Sequence, residues 1–96
     1  MHIRYSDHLK LRLKMRGIAD VLPRTIYQKA QQRFFDAATH LTIAVSTTNL
    51  FGKKREVMIA YRVVNNNEIL IITIHPLKTE QRIRRVRSGR WRTIEV

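Results

Sequence analysis

The sequence has no cysteine, so disulfide bonds, thiolate metal sites and a cysteine nucleophile are excluded together. It has only three glycines and two prolines, and no low-complexity stretch divides the chain. The apolar runs are far shorter than the roughly 18 residues of a membrane helix, and the N-terminal segment lacks the apolar core of a signal peptide. We therefore expect one soluble, cytoplasmic domain over residues 1–96 that makes no membrane contact.

Acidic residues are also scarce, since seven Asp and Glu stand against nineteen Lys and Arg, which gives a net charge of +12. Such a charge favours a polyanionic partner: nucleic acid, an anionic membrane surface or an acidic protein. Arginines crowd around one tryptophan near the C-terminus, and guanidinium groups suit phosphate contacts and stacking on bases. These residues are Arg82, Arg84, Arg85, Arg87, Arg90, Trp91 and Arg92. This cluster favours nucleic acid among the possible partners.

The segment from residue 8 to residue 18 repeats His8, Arg12 and Arg16 at every fourth position, just before Gly17. Its apolar and basic residues alternate as in a half-buried strand, but they are strong helix formers and Gly17 stands where a helix is capped. We predict a helix with apolar contacts on both flanks. Residues four apart are neighbours about 5 to 6 Å apart at Cβ, so the imidazole and two guanidiniums share one edge. A merely solvated basic face is the alternative interpretation.

The rest of the chain predicts an α+β fold of order β-α-α-β-β-β, with two helices packed on one face of an antiparallel sheet. Helical spacing after Pro23 predicts the second helix over residues 23–38. Strand patterns mark residues 2–5, 41–47, 56–64 and 68–75, and short Gly- or Asn-containing turns join the last three. Residues 79–96 contain Ser88-Gly89 and are predicted as a basic hairpin or docked tail.

The motif His8, Arg12, Arg16-Gly17-Ile18 resembles the H-x-x-x-R-x-x-x-R-G-I opening of a small uncharacterised bacterial domain family grouped with the RelE/ParE toxin superfamily. Two further segments, Ile74-His75-Pro76 and Ser88-Gly89-Arg90-Trp91, also resemble members of that family. The resemblance implies a toxin-like fold whose basic sheet face holds messenger RNA or another target, often neutralised by a small acidic antitoxin. RelE-like members cleave RNA without a metal, whereas ParE-like members inhibit gyrase.

A metal-independent ribonuclease needs a base, an acid and cations for the charge that develops on phosphate. His8 and His75 are the acid and base candidates, because imidazole works in either protonation state near neutral pH. Arg12 and Arg16 are candidates for holding the phosphate, with Arg90 as a third contact. Each histidine has a structural alternative: His75 hydrogen-bonds a backbone carbonyl, and His8 caps or packs the first helix.

No cofactor or metal site is expected, because the carboxylates are scattered and the chain has neither a glycine-rich phosphate loop nor a nucleophile elbow. The leading hypothesis is an RNA-binding endoribonuclease of toxin–antitoxin type, monomeric or homodimeric. One alternative is a nucleic-acid-binding module without catalysis. The other is a ParE-like protein that inhibits a partner protein.

Overall fold

In the computed structural model, which describes residues 1–94, the chain forms an α+β fold with three helices and one six-stranded mixed sheet. The elements are β1 (His2–Tyr5), α1 (Asp7–Arg16), α2 (Leu22–Lys29), β2 (Gln32–Asp36), β3 (Leu41–Leu50), β4 (Lys53–Asn65), β5 (Glu68–Pro76), α3 (Thr79–Arg87) and β6 (Trp91–Ile94). Glu95 and Val96, the end of the predicted hairpin or tail, lie outside the described residues. No helix within residues 1–94 has the length and apolar character needed to cross a membrane.

The strands are arranged in the order β1-β5-β4-β3-β2-β6. Every neighbouring pair is antiparallel except β1 and β5, which are parallel. The prediction of an antiparallel sheet was therefore wrong at this edge. Parallel neighbours need a long crossover between them, and here α1, α2 and three strands separate β1 from β5.

The predicted β3–β4–β5 meander is confirmed. Phe51 and Gly52 join β3 to β4 with φ angles of 55° and 74°. Positive φ at both turn residues is typical of the two-residue hairpins whose twist matches that of the flanking strands. At the next turn the Asn67 amide donates to the Asn65 side chain at 2.8 Å.

The predicted second helix is too long. It ends at Lys29, and residues 32–36 form β2, which pairs with β3 on one side and β6 on the other. Two neighbouring strands satisfy the backbone of this segment, and the adjacent aromatics Phe34 and Phe35 suit a pleated surface. Tertiary pairing thus overrides the helical spacing.

The C-terminal prediction was wrong over residues 79–87, which form helix α3, whereas residues 91–94 form strand β6 after the predicted turn at Ser88-Gly89. The Gln81 side chain accepts from the Lys78 amide at 3.1 Å at the start of α3, and arginine is a good helix former. Gly89, with a φ angle of 81°, turns the chain into β6. Four of the nine residues of α3 are arginine, and its apolar residues are too few to show a helical pattern in the sequence.

The sheet separates two apolar clusters, because successive strand residues point to opposite faces. Val57, Ile59 and Tyr61 of β4 join the first cluster together with helix residues. The helix residues are Leu9, Leu13 and Ile26. The second cluster contains Phe34, Ile43, Val45, Met58, Ala60, Leu77 and Trp91.

Helix α1 is confirmed, and Gly17 caps it in the left-handed conformation. Leu9 and Leu13 are buried, whereas Leu11 and Met15 are 57% and 73% exposed. The expected apolar contacts on both flanks were therefore wrong for these two residues. The exposed flank is the one that carries the basic edge.

Candidate functional site

Helix α1 lies along the part of β5 that β1 does not cover. The pairing of β1 with β5 ends at Ile71, and α1 then satisfies the next carbonyls at this sheet edge. The Ser6 hydroxyl donates to the Ile72 carbonyl at 2.9 Å, and Nε of Arg12 donates to the Ile74 carbonyl at 3.0 Å. Ser6 is also the N-cap, because its hydroxyl accepts from the Leu9 amide at 3.0 Å. These bonds fix both the position and the rotation of α1.

Arg12 also contacts the ring of His75, with 2.8 Å between Nη2 and Nδ1. A guanidinium only donates, so Nδ1 accepts and the ring proton of neutral His75 is on Nε2. Nε2 lies 3.0 Å from Oγ1 of Thr73 and donates to it. The structure therefore assigns His75 as a neutral imidazole with a defined tautomer.

The pKa of His75 is lowered from its usual 6.5, first by partial burial and then by the positive charge of Arg12. The charges of His8, Arg16 and Arg85 also lower this pKa, each by a smaller amount. Both effects disfavour the imidazolium form. His75 is consequently in the form that accepts a proton at neutral pH.

His8, Arg12 and Arg16, here called the basic edge, line one shallow depression of about 230 Å³ on α1. His8 and Arg16 are exposed, whereas Arg12 is half-buried beside β5. Arg12 therefore joins the basic edge to His75. The two predicted histidines are close enough for the charge of one to lower the pKa of the other.

A cleft of about 410 Å³, here called the α3 cleft, lies between α3 and the second face of the sheet. Its floor includes Ile43, Met58 and Ala60, and Thr73 and His75 lie at its β5 side. Asp36, Arg90 and Trp91 lie at its β2–β6 side, and Gln81 and Arg85 come from α3. Two larger depressions, of about 490 and 690 Å³, contain neither His8 nor His75.

Arg90 is held by a buried carboxylate. Its Nε and Nη2 each lie 3.1 Å from one oxygen of Asp36, and the Ala38 amide donates to Asp36 at 2.9 Å. Burial alone raises the pKa of Asp36, but the hydrogen bonds from Arg90 and Ala38 outweigh burial and lower it to about 2. The fork of Arg90 thus ties the start of β6 to the end of β2, and it is already filled by an anion.

Trp91 belongs to the core and not to an exposed interface. It is 1% exposed, its ring stacks on Phe34 at 5.2 Å, and the guanidinium of Arg85 lies 5.0 Å from the ring centroid. Its Nε1 is close enough to Asp36 to contribute to the low pKa of that carboxyl, yet it meets no acceptor in hydrogen-bond geometry. The position predicted for stacking on a base therefore packs against protein on both ring faces.

The remaining arginines of the C-terminal cluster have different surroundings. Arg82 pairs with Glu56 at 2.7 Å, which joins α3 to β4. Arg84 and Arg87 are exposed on α3, and Arg92 is exposed on β6. Only these exposed members present their charge directly to solvent.

Sequence reasoning missed two residues of the α3 cleft, Asp36 and Thr73, and it did not predict that Arg85 is partly buried there. Thr73 was accessible from the sequence, because it lies two residues before His75 on a strand and shares its face. Asp36 was not predicted as a site residue, because its segment was predicted as helix and forms strand β2. The burial of Arg85 depends on α3, which was not predicted.

The groups offered by the basic edge and the α3 cleft are guanidiniums, an imidazole and hydroxyls, which suit anions. Within the described residues 1–94, no group of three or more His, Asp or Glu side chains is arranged to hold a metal ion. The chain matches no protein-family model, no curated protein and no solved structure. What the arrangement can do chemically is bind phosphate beside a neutral imidazole.

Proposed function

We propose that the protein is an RNA-binding endoribonuclease of toxin type that acts without a metal ion. The observation that carries this proposal is the 2.8 Å contact between Arg12 and His75. It joins a phosphate-binding group on the basic edge to an imidazole whose pKa is lowered. The net charge of +12 supports a polyanionic substrate.

The proposed reaction is attack of an RNA 2′-oxygen on the adjacent phosphorus. His75 takes the 2′-hydroxyl proton at Nδ1, which requires Arg12 to leave that atom and turn to a phosphate oxygen. The bond from phosphorus to the 2′-oxygen forms and the bond to the 5′-oxygen breaks, which leaves a 2′,3′-cyclic phosphate. His8 gives the 5′-oxygen its proton, and Arg12 and Arg16 stabilise the charge on phosphate.

We also infer a relation to the RelE/ParE superfamily. The two residues that touch, Arg12 and His75, come from two of the segments that carry the resemblance. Residues of both α1 and α2 share one apolar cluster with the sheet, which supports helices packed on one face. The parallel β1, the inserted β2 and helix α3 are departures from the expected order. A small acidic antitoxin and a cytoplasmic location belong to the same proposal.

A second candidate is RNA binding without catalysis. The observation that favours it is that both ring nitrogens of His75 have partners, Arg12 at 2.8 Å and Thr73 at 3.0 Å. In this function His75 fixes the rotamer of Arg12 and exchanges no proton. The basic edge and the exposed arginines of α3 then supply phosphate contacts alone.

The test is incubation of the purified protein with labelled RNA in EDTA. We expect cleavage by the parent, and a loss of about 10²-fold or more in rate for His75→Ala and His8→Ala. His2→Ala is the matched control, because His2 is exposed on β1 and lines neither the basic edge nor the α3 cleft. Circular dichroism verifies that each variant is folded. RNA that is bound but left intact supports the second candidate, and unchanged rates in both variants contradict the catalytic roles.

A further inference from the structure

Arg85 has an unusual environment for an arginine. Its guanidinium lies over the ring of Trp91 at 5.0 Å, and Nη1 lies 4.0 Å from Sδ of Met58. Within residues 1–94 no carboxylate is within ion-pair distance of it, whereas Arg82 and Arg90 each have one. The charge of Asp36 acts on Arg85, but the carboxylate of Asp36 is bound by Arg90, so the desolvation cost of the Arg85 guanidinium is only partly offset. An anion in the α3 cleft would offset that cost.

The β5 side of the cleft offers a matching donor. The hydroxyl of Thr73 accepts from Nε2 of His75 at 3.0 Å, which leaves the hydroxyl hydrogen of Thr73 to donate. His75 pairs with Met58 across β5 and β4, and neighbouring strands are about 4.8 Å apart. Arg85 reaches Met58, so its guanidinium and the hydroxyl of Thr73 border the same part of the cleft.

The floor next to this position is apolar. Ile43 and Ala60 are paired across β3 and β4, and with Met58 they form a buried surface on adjacent strands. Enzymes that bind an unpaired base in a pocket hold it between aromatic or apolar side chains. The cleft volume of about 410 Å³ is within the usual range of small-molecule sites.

We propose that the α3 cleft binds one unpaired nucleotide of single-stranded RNA, with its base on the apolar floor and its phosphate between Arg85 and Thr73. This inference rests on the proposed function, because His75 lines the same cleft. It specifies the substrate class, since a base within a duplex cannot enter the cleft. It also gives Arg85 a role distinct from that of the exposed arginines beside it.

Trp91 provides the measurement, because it is the only tryptophan of the chain and it lines the cleft. Its fluorescence is followed during titration of the full protein with uridine 3′-monophosphate, adenosine 3′-monophosphate and, separately, inorganic phosphate. We expect saturable changes with a nucleotide, and at least about tenfold weaker binding by Arg85→Gln. Lys29→Gln is the matched control for the loss of one positive charge, since Lys29 is exposed on α2 and does not line the cleft, and its affinity is expected to stay within about twofold of the parent.

A second variant addresses the risk that loss of Arg85 disturbs the packing of Trp91. In Gln81→Glu the side-chain oxygen that caps α3 is retained, because Gln81 accepts from the Lys78 amide at 3.1 Å and Glu fills that position equally well. The new charge faces the cleft, so nucleotide binding is expected to weaken. Gln28→Glu on the exposed side of α2 is its control and is expected to bind as the parent does.

Equal nucleotide affinity of Arg85→Gln and Lys29→Gln overturns the inference. Inorganic phosphate binding as tightly as either nucleotide also overturns it, because the apolar floor then contributes nothing. Neither result depends on RNA cleavage, so the cleavage assay still decides the proposed function. Nucleotide binding that Arg85→Gln weakens, in a protein that leaves RNA intact, supports the inference while it refutes the proposed catalysis.

Discussion

Nη2 of Arg12 lies 2.8 Å from Nδ1 of His75, although 63 positions separate the two residues in the sequence. The contact exists because α1 continues along the edge of β5 where β1 ends. Arg12 therefore serves two roles, since it closes the sheet edge through the Ile74 carbonyl and holds the ring of His75. A phosphate that binds Nη2 of Arg12 would compete with Nδ1 of His75 for this donor.

The first prediction concerns the pKa of His75. Burial and the charge of Arg12 lower it in the folded protein from the usual 6.5. Neutral His75 therefore contributes to the free energy of unfolding above about pH 6.5, and this contribution is lost as pH falls through the folded pKa. In Arg12→Gln the pKa of His75 is expected to rise, because a charge and a donor to Nδ1 are both removed. Titration of the imidazole by NMR measures it.

Lys10→Gln is the control for that titration, because Lys10 lies on α1 but is not among the charges that lower the pKa of His75. Its His75 is expected to titrate as in the parent. An unchanged pKa in Arg12→Gln would show that Arg12 does not hold the ring in solution.

The second prediction concerns stability in acid. Because the folded pKa of Asp36 is about 2 against a usual 3.8, ionised Asp36 stabilises the fold above about pH 4 by about 2 kcal/mol, which is lost as pH falls towards 2. Asp36→Asn is expected to lack this part of the acid dependence. Denaturant unfolding of both proteins at several pH values measures it, and identical pH slopes would refute it.

The third prediction concerns Ser6, which caps α1 and bonds the edge of β5. Ser6→Ala is expected to lower the free energy of unfolding by about 1 to 2 kcal/mol, because two hydrogen bonds are removed. Ser6→Asp keeps the acceptor for the Leu9 amide and removes the donor to Ile72, so its destabilisation is expected to be smaller. Thermal or denaturant unfolding measures both variants, and a fully stable Ser6→Ala would contradict this account of α1.

The fourth prediction concerns the exposed arginines of α3. The logarithm of RNA affinity falls with the logarithm of salt concentration, and Arg84→Gln and Arg87→Gln are each expected to make this negative slope shallower by about 1, because each variant neutralises one phosphate fewer. Fluorescence anisotropy over a range of salt concentrations measures the slope. Lys29→Gln on α2 serves as the control. A slope that these α3 variants leave unchanged would assign RNA binding to another face.

Local patterns predicted the parts of the fold that depend on neighbouring residues. The β3–β5 meander followed from alternation and turn residues, and α1 followed from helix formers that end at Gly17. The parallel pairing of β1 did not, because it depends on contacts between residues 66 positions apart. Residues 32–36 carry a helical spacing that two neighbouring strands override.

The candidate site was predicted in part for the same reasons. The spacing of His8, Arg12 and Arg16 gave the basic edge, since four-residue repeats are local. The contact of Arg12 with His75 required knowledge of which sheet edge α1 covers. The burial of Trp91 and the pairing of Arg90 with Asp36 depend on β2, which was not predicted, and on its pairing with β6.

The most direct test of the central claim is a double-mutant cycle on the rate of RNA cleavage in EDTA, with Arg12→Gln, His75→Gln and the double variant. Each single variant is expected to lose about 10²-fold or more, and the double variant is expected to be no slower than the worse single variant, because the two residues act as one unit. Lys10→Gln is expected to cleave at the parent rate. Losses that multiply in the double variant, or single variants as fast as the parent, would contradict the claim that Arg12 and His75 form one catalytic pair.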